Sequence, residues 1–400
     1  MSTFSDEPVA LRLKPSRQYP FLARHPWVHA HALAETGHKL ASGQVVDLLD
    51  HDGNWIARGV VNPSSRLRIR LYSFDSAVEV NEDLWMSRLE QSVARRRLTE
   101  TFAADHAERL VFSESDLISG LIVDRYADCL GVQFTSGALW RWHEMILDQL
   151  KTLTNCQSIM VRIDEKTAKH EGIEAKEFWY QGQESDGRVA YVQNGLTLSV
   201  NLRSGQKTGS YLDQRLNHEA VARYMVDRRV LDVCCYTGGF GLVAAKGGAK
   251  EVVAIDSSRP ALEEARKAVE RNSVDTIEFQ EGDCFDALKK MVEDGESFGG
   301  VILDPPRFAG SRHQIDRALR AYARLNSLAL DLLSPGGVLA TCSCSGRVSR
   351  SDFLNMLMDV AKRKRRDLVV LEQRGPAPDH PVSIACPESD YLKCVIAQAS

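Results

Sequence analysis

Several features that would place a chain of this size in a special class are missing from the sequence. No apolar run approaches the length of a membrane span, and residues 1–10 lack the basic and apolar regions of a signal peptide. The formal net charge is −4, so a nucleic-acid-binding role would require a local basic surface. The nine cysteines, an odd number, show no disulfide-like spacing, which predicts reduced thiols and a cytoplasmic location.

What is present is the composition of an ordinary globular protein, 44% hydrophobic and 26% charged. Four hundred residues is long for a single core, so we expect two or three domains. Short turn-rich strands fill residues 1–75, and a mixed helix and strand pattern follows over residues 76–188. In residues 189–400 strands alternate with helices, which predicts a doubly wound parallel sheet with ligands at the carboxyl ends of its strands.

Arginine and aliphatic residues alternate over residues 66–71. A strand with this pattern carries Arg66, Arg68 and Arg70 on one face and the aliphatic side chains on the other. Two interpretations are open. The arginines form an exposed row of guanidinium groups for a ligand, or they are the charges of an edge strand that is protected against aggregation.

A glycine-rich turn follows the apolar run that begins at Val230, and a second apolar run closes on Asp256. A strand, a glycine turn, a helix and a strand that ends in a carboxylate predict a nucleoside-binding crossover. Gly238 and Gly239 let the backbone approach the ligand, and Asp256 accepts hydrogen bonds from a ribose diol. With a third glycine at Gly241, the spacing breaks the dinucleotide fingerprint, so a nicotinamide cofactor is the weaker alternative.

Two motifs farther along the chain point to methyl transfer. Asp304 leaves a buried strand directly into two prolines, which hold its carboxylate at a fixed place for a ring nitrogen. Carbon 5 of a pyrimidine accepts a methyl group only after a thiolate adds to carbon 6, and this chemistry needs a cysteine on the neighbouring strand. Cys342 is predicted there, with Cys344 two residues on. The alternatives are small buried hydrophobic residues or a zinc site, but no second Cys/His pair has ligand spacing, and we expect no metal.

Acidic side chains at the strand ends complete a predicted S-adenosylmethionine site. Asp283 follows the third strand and suits the amino group of an adenine, while Asp232 faces the amino-acid part of the cofactor. We also expect Tyr236, Gln214 and Asp304 to contact the cofactor.

With these motifs in hand, the chain resembles the bacterial 23S rRNA 5-methylcytosine methyltransferases of the large-subunit methyltransferase I type. The resemblance covers nearly the whole length and rests on residues 206–209, 212–215, 304–308, 341–346, 379–381 and 391–393. It implies an N-terminal PUA domain (residues 1–75), a central α+β domain (76–188) and a C-terminal Rossmann-like class I methyltransferase domain (189–400).

The resemblance also implies S-adenosylmethionine as methyl donor and a cytosine of 23S rRNA, free or in a precursor of the large ribosomal subunit, as acceptor. Cys342 occupies the nucleophile position of the family. Many RNA 5-methylcytosine enzymes carry a second cysteine where this chain has Pro306, so proton removal is expected from another group, with His380 as the candidate.

A PUA domain gives the basic side chains an RNA-binding role. The residues expected to contact RNA are Arg66, Arg68, Arg70, Lys207 and Arg307. A homodimer is left open, and no membrane partner is expected. Two rival functions remain at this stage: methylation of guanine N7, which needs no thiol, and a non-catalytic RNA-binding factor of ribosome assembly.

Overall fold

The computed structural model describes residues 7–34, 39–98, 105–182, 186–205, 208–308 and 314–400. The chain divides into two compact units. The N-terminal unit comprises Met1–Tyr191, Val200–Ser210 and Pro378–Ser389, and the C-terminal unit comprises Val192–Ser199, Tyr211–Ala377 and Asp390–Ser400. The finer division into three domains at residues 75 and 188 stays a prediction.

The first sheet of the N-terminal unit has the strand order β1-β3-β4-β5-β2. Its elements are β1 (Val9–Arg12), α1 (Tyr19–Leu22), β2 (Trp27–His29), β3 (Val45–Leu49), β4 (Trp55–Val61) and β5 (Leu67–Ser73). The pairs β3–β4 and β4–β5 are antiparallel, as the turn-rich sequence predicts, and only β1–β3 is parallel. Aliphatic side chains of these strands, with Phe21 of α1, form one apolar core.

A second sheet of the same unit has the order β10-β9-β8-β7-β6. Its elements are α2 (Glu82–Arg96), β6 (Ala107–Phe112), β7 (Leu121–Tyr126), β8 (Cys129–Phe134), α3 (His143–Thr154), β9 (Ser158–Ile163), α4 (Glu165–Glu171) and β10 (Lys176–Gln181). The apolar run over residues 117–126 does not form one strand. A 3-10 turn over Ser113–Asp116 and a left-handed φ of 61° at Leu117 precede β7, which begins at Leu121.

Strand β5 departs most from its sequence interpretation. Only Arg66 is exposed, whereas Arg68 and Arg70 are 6% and 7% exposed. Arg70 donates hydrogen bonds to Ser119 Oγ and to the Thr135 carbonyl, both at 3.0 Å. The expectation of an exposed row of three arginines is therefore wrong, because neighbouring segments of the same unit cover this face of the strand.

The partners of the two buried guanidinium groups explain how they are accommodated. Arg70 forms ion pairs with Glu114 at 3.4 Å and Glu171 at 3.5 Å. Arg68 donates to the Pro63 carbonyl, and burial lowers its pKa. Buried charge is tolerated only with such partners, so Arg70 stabilises the unit instead of presenting charge to a ligand. Arg68 has the carbonyl partner, and its Nε has none among the described residues.

A two-stranded sheet, β11 (Arg188–Gln193) and β12 (Leu196–Asn201), follows. Asn194 and Gly195 connect its strands with φ values of 54° and 69°. Two successive positive φ angles are what a tight hairpin turn requires, and an Asn-Gly pair adopts them readily.

The C-terminal unit is built on a seven-stranded sheet of order β15-β14-β13-β16-β17-β19-β18. Its elements are α5 (Arg215–Ala222), β13 (Arg229–Val233), α6 (Gly239–Lys246), β14 (Glu251–Asp256), α7 (Arg259–Asn272), β15 (Ile277–Glu281), α8 (Cys284–Glu293), β16 (Phe298–Leu303), α9 (Ile315–Leu332), β17 (Leu333–Ser343), α10 (Arg350–Lys364), β18 (Leu368–Arg374) and β19 (Lys393–Ala399). The first five strands of the order are parallel, and β19 and β18 are antiparallel additions.

Two apolar clusters lie on the two faces of this sheet. One joins the sheet to α5, α6 and α7, and the other joins it to α8, α9 and α10. The doubly wound fold predicted from the alternating pattern is confirmed. The strand order reverses between β13 and β16, and a crevice for ligands forms at such a reversal. Within the described residues, none of the helices is both long and apolar enough to cross a membrane.

Candidate active site

The glycine turn after β13 brings backbone close to side chains that leave no room for a Cβ atom. Gly238 has a φ of 82° and precedes α6, and a Cβ there would lie 3.1 Å from the Phe279 ring. A Cβ on Gly239 would lie 2.5 Å from the ring of His218. Glycine is required at both positions, and the turn presents bare backbone at the carboxyl edge of the sheet.

Asp256, the last residue of β14, organises the same turn from the side. Its Oδ2 accepts a hydrogen bond from the Tyr236 amide and its Oδ1 accepts one from the Ser258 amide, each at 2.8 Å. Tyr236 has a left-handed φ of 52°, and so does Cys234 at 61°. Non-glycine residues held in this conformation cluster at functional sites, and here the Asp256 carboxylate holds the strained turn.

Asp232 is fully buried at the end of β13. Its Oδ2 accepts a hydrogen bond from the Gly241 amide at 2.8 Å, while its Oδ1 has no hydrogen-bond partner among the described residues. Burial, followed by the negative charges of Asp304 and Asp256, raises the pKa of Asp232 to about 7. A buried acceptor without a donor, in a field of negative charge, fits a cationic ligand group.

Asp283, which follows β15, is exposed and caps α8. Its Oδ1 accepts hydrogen bonds from the amides of Phe285 at 2.9 Å and Asp286 at 3.2 Å. Phe279 of β15 lies against Gly238. The apolar ring and the neighbouring carboxylate form a surface that suits a base, although the Asp283 contact to adenine stays a prediction.

Asp304 lies directly after β16, where Gln214 contacts it. Gln214 Nε2 donates to Asp304 Oδ1 at 3.1 Å, and Gln214 Oε1 accepts from Asn217 Nδ2 at 2.6 Å. Asn217 Oδ1 in turn accepts from Arg374 Nε at 2.9 Å. This chain of hydrogen bonds fixes the amide of Gln214 with its NH₂ group toward the carboxylate.

Cys342 does not offer its thiol to a ligand. It is fully buried in β17, directly across from Cys394 of β19, and packs within an apolar cluster. Its hydrogen bond to Cys394 and burial raise its pKa far above the usual range of a thiol. The assignment of Cys342 as the nucleophile stays a prediction, against which its burial opposite Cys394 speaks.

Cys344 lies just beyond the end of β17 and is partly exposed. Its Sγ is 3.8 Å from the Pro305 carbonyl oxygen, on the residue that follows Asp304. Ser343 and Ser345 on either side are fully buried. A thiol is thus presented beside the aspartate from a segment that is anchored at both neighbours.

Comparison with known proteins adds to this geometry. The family model of S-adenosylmethionine-dependent methyltransferases matches residues 151–388, and a PUA-like domain matches residues 11–74. "Ribosomal RNA large subunit methyltransferase I" of Tolumonas auensis is 38% identical over 97% of this chain and 98% of its own length. Its counterpart in Aeromonas salmonicida is 39% identical over 98% and 99%. The chain belongs to this methyltransferase family.

Solved structures give the same fold at lower identity. A proposed SAM-dependent methyltransferase from Streptococcus mutans superposes with a TM-score of 0.83 at 19% identity, covering 98% of this chain and all of that one. A methyltransferase structure with bound SAH gives a TM-score of 0.84, also at 19% identity, with the same coverage. At this identity the likeness extends to the fold alone.

S-adenosylmethionine is the cofactor of the family, and the residues of this methyltransferase fit it. Asp232 Oδ1, which has no partner in the described part of the chain, suits the α-ammonium group, and Asp256 lies where a ribose would bind. The individual contacts stay predictions. Gln214 donates to Asp304, and its contact with the cofactor stays a prediction as well.

Three further predicted residues are His380, Lys207 and Arg307. His380 belongs to the N-terminal unit, where its Nδ1 is 2.9 Å from Asp379 Oδ1 and its ring packs on Phe112. Lys207 falls outside the described residues. Arg307 is exposed and follows the two prolines after Asp304. A role for His380 in catalysis, and RNA contacts by Lys207 and Arg307, stay predictions.

Sequence reasoning overlooked two side chains of the site. The ring of Tyr211 packs edge-on against Tyr236 with centroids 5.3 Å apart, and burial raises the pKa of its hydroxyl. Lys393 is buried beside the segment that carries Cys344. Both lie in or next to motifs of the family resemblance, at 212–215 and 391–393. Their location in or beside these motifs could have identified them as site residues. The burial of Lys393, however, cannot be recognised from its sequence neighbours.

One group of possible metal ligands occurs in the described part of the methyltransferase. His25 Nε2 lies 3.2 Å from Glu388 Oε2, and Cys386 Sγ lies 3.7 Å from the same oxygen. His25 Nδ1 accepts a hydrogen bond from the Trp27 amide at 3.3 Å, which leaves the proton of a neutral ring on Nε2, facing the carboxylate. These groups satisfy one another without an ion, and the expectation of no metal stays a prediction.

Proposed function

We propose that this chain methylates carbon 5 of a cytosine in large-subunit (23S) ribosomal RNA, with S-adenosylmethionine as donor and Cys344 as covalent nucleophile. The observation that carries the proposal is the position of Cys344. It is a partly exposed thiol 3.8 Å from the carbonyl that follows Asp304, at the same sheet edge as the glycine turn. The large-subunit rRNA in the names of the relatives supplies the class of acceptor.

A target base must leave its stack before a thiol can reach its ring. In the proposed reaction the Cys344 thiolate forms a bond to carbon 6, and the electron pair displaced from the ring makes carbon 5 nucleophilic. The bound cofactor supplies the methyl group that carbon 5 then accepts. A base removes the hydrogen of carbon 5, the electrons of that C–H bond restore the ring double bond, and the thiolate leaves carbon 6.

Asp304 and Gln214 would hold the cytosine during this addition. A carboxylate accepts hydrogen bonds from the exocyclic amino group or from a protonated ring nitrogen, and protonation at nitrogen makes carbon 6 more electrophilic. The Gln214 amide, fixed by Asn217 and Arg374, keeps the carboxylate oriented. Rigid support of this kind is what orients reacting groups in a site.

In this proposal the RNA is bound by those arginines of the predicted RNA-binding residues that are exposed. Arg66 and Arg307 are exposed, whereas Arg68 and Arg70 are occupied within the N-terminal unit. Exposed guanidinium groups bind phosphates without reading sequence, so they would position the RNA, and base specificity would arise at Asp304.

Trapping with a fluorinated base tests the proposal directly. RNA from the large subunit that carries 5-fluorocytosine has no removable hydrogen at carbon 5, so the thiol adduct accumulates after methyl transfer. We expect a covalent RNA–protein complex that requires S-adenosylmethionine, with the crosslink at Cys344 in the digested peptide. A crosslink at Cys342 would contradict the assignment of the nucleophile, and methylated RNA without any crosslink would contradict covalent catalysis.

A further inference from the structure

Lys393 is a buried cation to which the chemistry above gives no task. Lys393 lies at the start of β19, opposite Ser343 of β17, and is only 2% exposed. Its Nζ donates hydrogen bonds to the carbonyl oxygens of Ser345 and Tyr391, each at 2.8 Å. Burial of an ammonium group is costly unless it is well paired, so its presence here calls for a compensating interaction.

The segment that carries Cys344 is fixed on both sides. The Ser345 amide donates to Ser343 Oγ at 3.4 Å, its carbonyl accepts from Lys393, and its hydroxyl lies 3.0 Å from the Tyr322 hydroxyl. Lys393 thus anchors the backbone one residue beyond the thiol. An ammonium group has three N–H donors, and the two carbonyls use two of them.

Charge links the two side chains as well. Burial and, to a smaller extent, the cations Arg350 and Arg307 lower the pKa of Lys393 to about 8, against the opposing effect of Asp390 and the Cys344 thiolate. This electrostatic interaction is mutual: the Cys344 thiolate stabilises the charged form of Lys393, and the Lys393 ammonium stabilises the thiolate form of Cys344. Beyond the effect of burial, Cys344 and Asp304 also raise the pKa of the Tyr211 and Tyr322 hydroxyls.

We propose that Lys393 is a positioning residue for the thiol: it anchors the Ser345 backbone, and its charge keeps Cys344 in the reactive thiolate form. The inference rests on the assignment of Cys344 as the nucleophile. An adjacent carboxylate at Asp304 disfavours a second negative charge, and the Lys393 ammonium is the buried cation that offsets it. A thiolate next to a lysine is the usual arrangement for a reactive cysteine.

Alkylation of Cys344 by iodoacetamide, followed by mass spectrometry of its peptide, tests this without RNA or methyl transfer. In the native chain we expect the pH midpoint of alkylation to lie below that of a free cysteine, about 8.5. Lys393→Met should raise the midpoint by about one pH unit, so that alkylation at pH 7 slows about tenfold. Lys289→Met removes an exposed cation of α8 and should leave the profile unchanged.

Two conservative variants separate charge from anchoring. Lys393→Gln keeps N–H donors for the carbonyls but has no charge, and Lys393→Arg keeps the charge. We expect the midpoint to rise in the glutamine variant and to stay near native in the arginine variant. A native midpoint in a folded Lys393→Gln protein that still binds S-adenosylmethionine would overturn the proposal.

A measurement on the native chain covers the case in which the uncharged variants do not fold. A native midpoint at or above the free-cysteine value would overturn the proposal by itself. Failure of the proposed function gives a different pattern, since absence of 5-methylcytosine or of the 5-fluorocytosine adduct would leave the alkylation profile as expected here.

Discussion

Strand β5 and the carboxyl edge of the seven-stranded sheet both carry charged side chains that the sequence singled out, but they use them in opposite ways. On β5 the Arg70 guanidinium is covered and is paired with Glu114 and Glu171 inside the N-terminal unit. At the sheet edge, Asp232 keeps a buried carboxylate oxygen that has no partner among the described residues. A charge paired within the chain stabilises a fold, whereas a buried carboxylate oxygen without a donor at the strand ends of such a sheet marks a place for a ligand.

The largest expected effect concerns the two cysteines of β17 and its extension. Cys344→Ala should lower methyl transfer on the order of 10⁴-fold or more, because the proposed covalent bond to carbon 6 can no longer form. Cys342→Ala removes a buried thiol that faces Cys394 and should leave the rate within about tenfold of native, with a small loss of stability. Single-turnover transfer of labelled methyl to large-subunit RNA measures both. Equal loss in the two variants would remove the distinction between core and site.

Next in size is the effect of Arg70 on the fold. Arg70→Met leaves the carboxylates of Glu114 and Glu171 without their shared cation, at a cost of roughly 3–5 kcal/mol in the free energy of unfolding. Arg66→Met, on the exposed neighbour, should change it by less than about 0.5 kcal/mol. Urea unfolding of the two variants gives both free energies of unfolding. Similar stabilities would contradict a structural role that is specific to Arg70.

Replacement of Asp232 by asparagine tests the partnerless carboxylate. Without the negative charge, the ammonium of S-adenosylmethionine loses a charged hydrogen bond, and we expect affinity to fall by about 2 kcal/mol, about 30-fold in Kd. Asp286→Asn, on the exposed face of α8, is the control. Isothermal titration calorimetry gives both affinities. Unchanged binding in the Asp232 variant would contradict the contact between Asp232 and the ammonium group of the cofactor.

The same carboxylate makes cofactor binding depend on pH. The pKa of Asp232 is raised to about 7 in the chain without ligand, so above pH 7 the carboxylate is already charged, whereas below it a proton must be released on binding. We expect the Kd to rise by up to about tenfold per pH unit as pH falls from 7 to 5.5. Titrations in buffers of different ionisation enthalpy report the proton release, which should vanish in Asp232→Asn.

The smallest effect is on RNA affinity. Arg66→Gln removes one phosphate contact, which should weaken binding uniformly across sequences and reduce the slope of log K against log salt by about one. Arg229→Gln, whose guanidinium is engaged by Glu251 and Glu296, should leave that slope unchanged. Filter binding at several salt concentrations measures the affinity and the salt slope of both variants.

The sequence predicts the structural features that follow from the order of strands and helices along the chain. It does not predict those that depend on how side chains pack. Alternation of strands and helices fixes the parallel sheet, and in such a sheet Asp232, Asp256 and Asp304 necessarily meet at one edge. Packing decides what covers β5 and which way a cysteine points at a strand end. Cys342 and Cys344 are equivalent in the motif, but only one lies beyond the last paired residue of β17, where the chain leaves the core.

The three carboxylates at the sheet edge have a consequence for turnover. The negative charges of Asp304 and Asp256 are felt at Asp232, so a ligand placed among them is favoured by every positive charge that it carries. Methyl transfer turns a sulfonium into a neutral thioether, and the spent cofactor leaves with one charge fewer than the fresh one brought. The same electrostatic field therefore discriminates against the by-product, and more strongly at low ionic strength, where exchange of spent for fresh donor should be the most efficient.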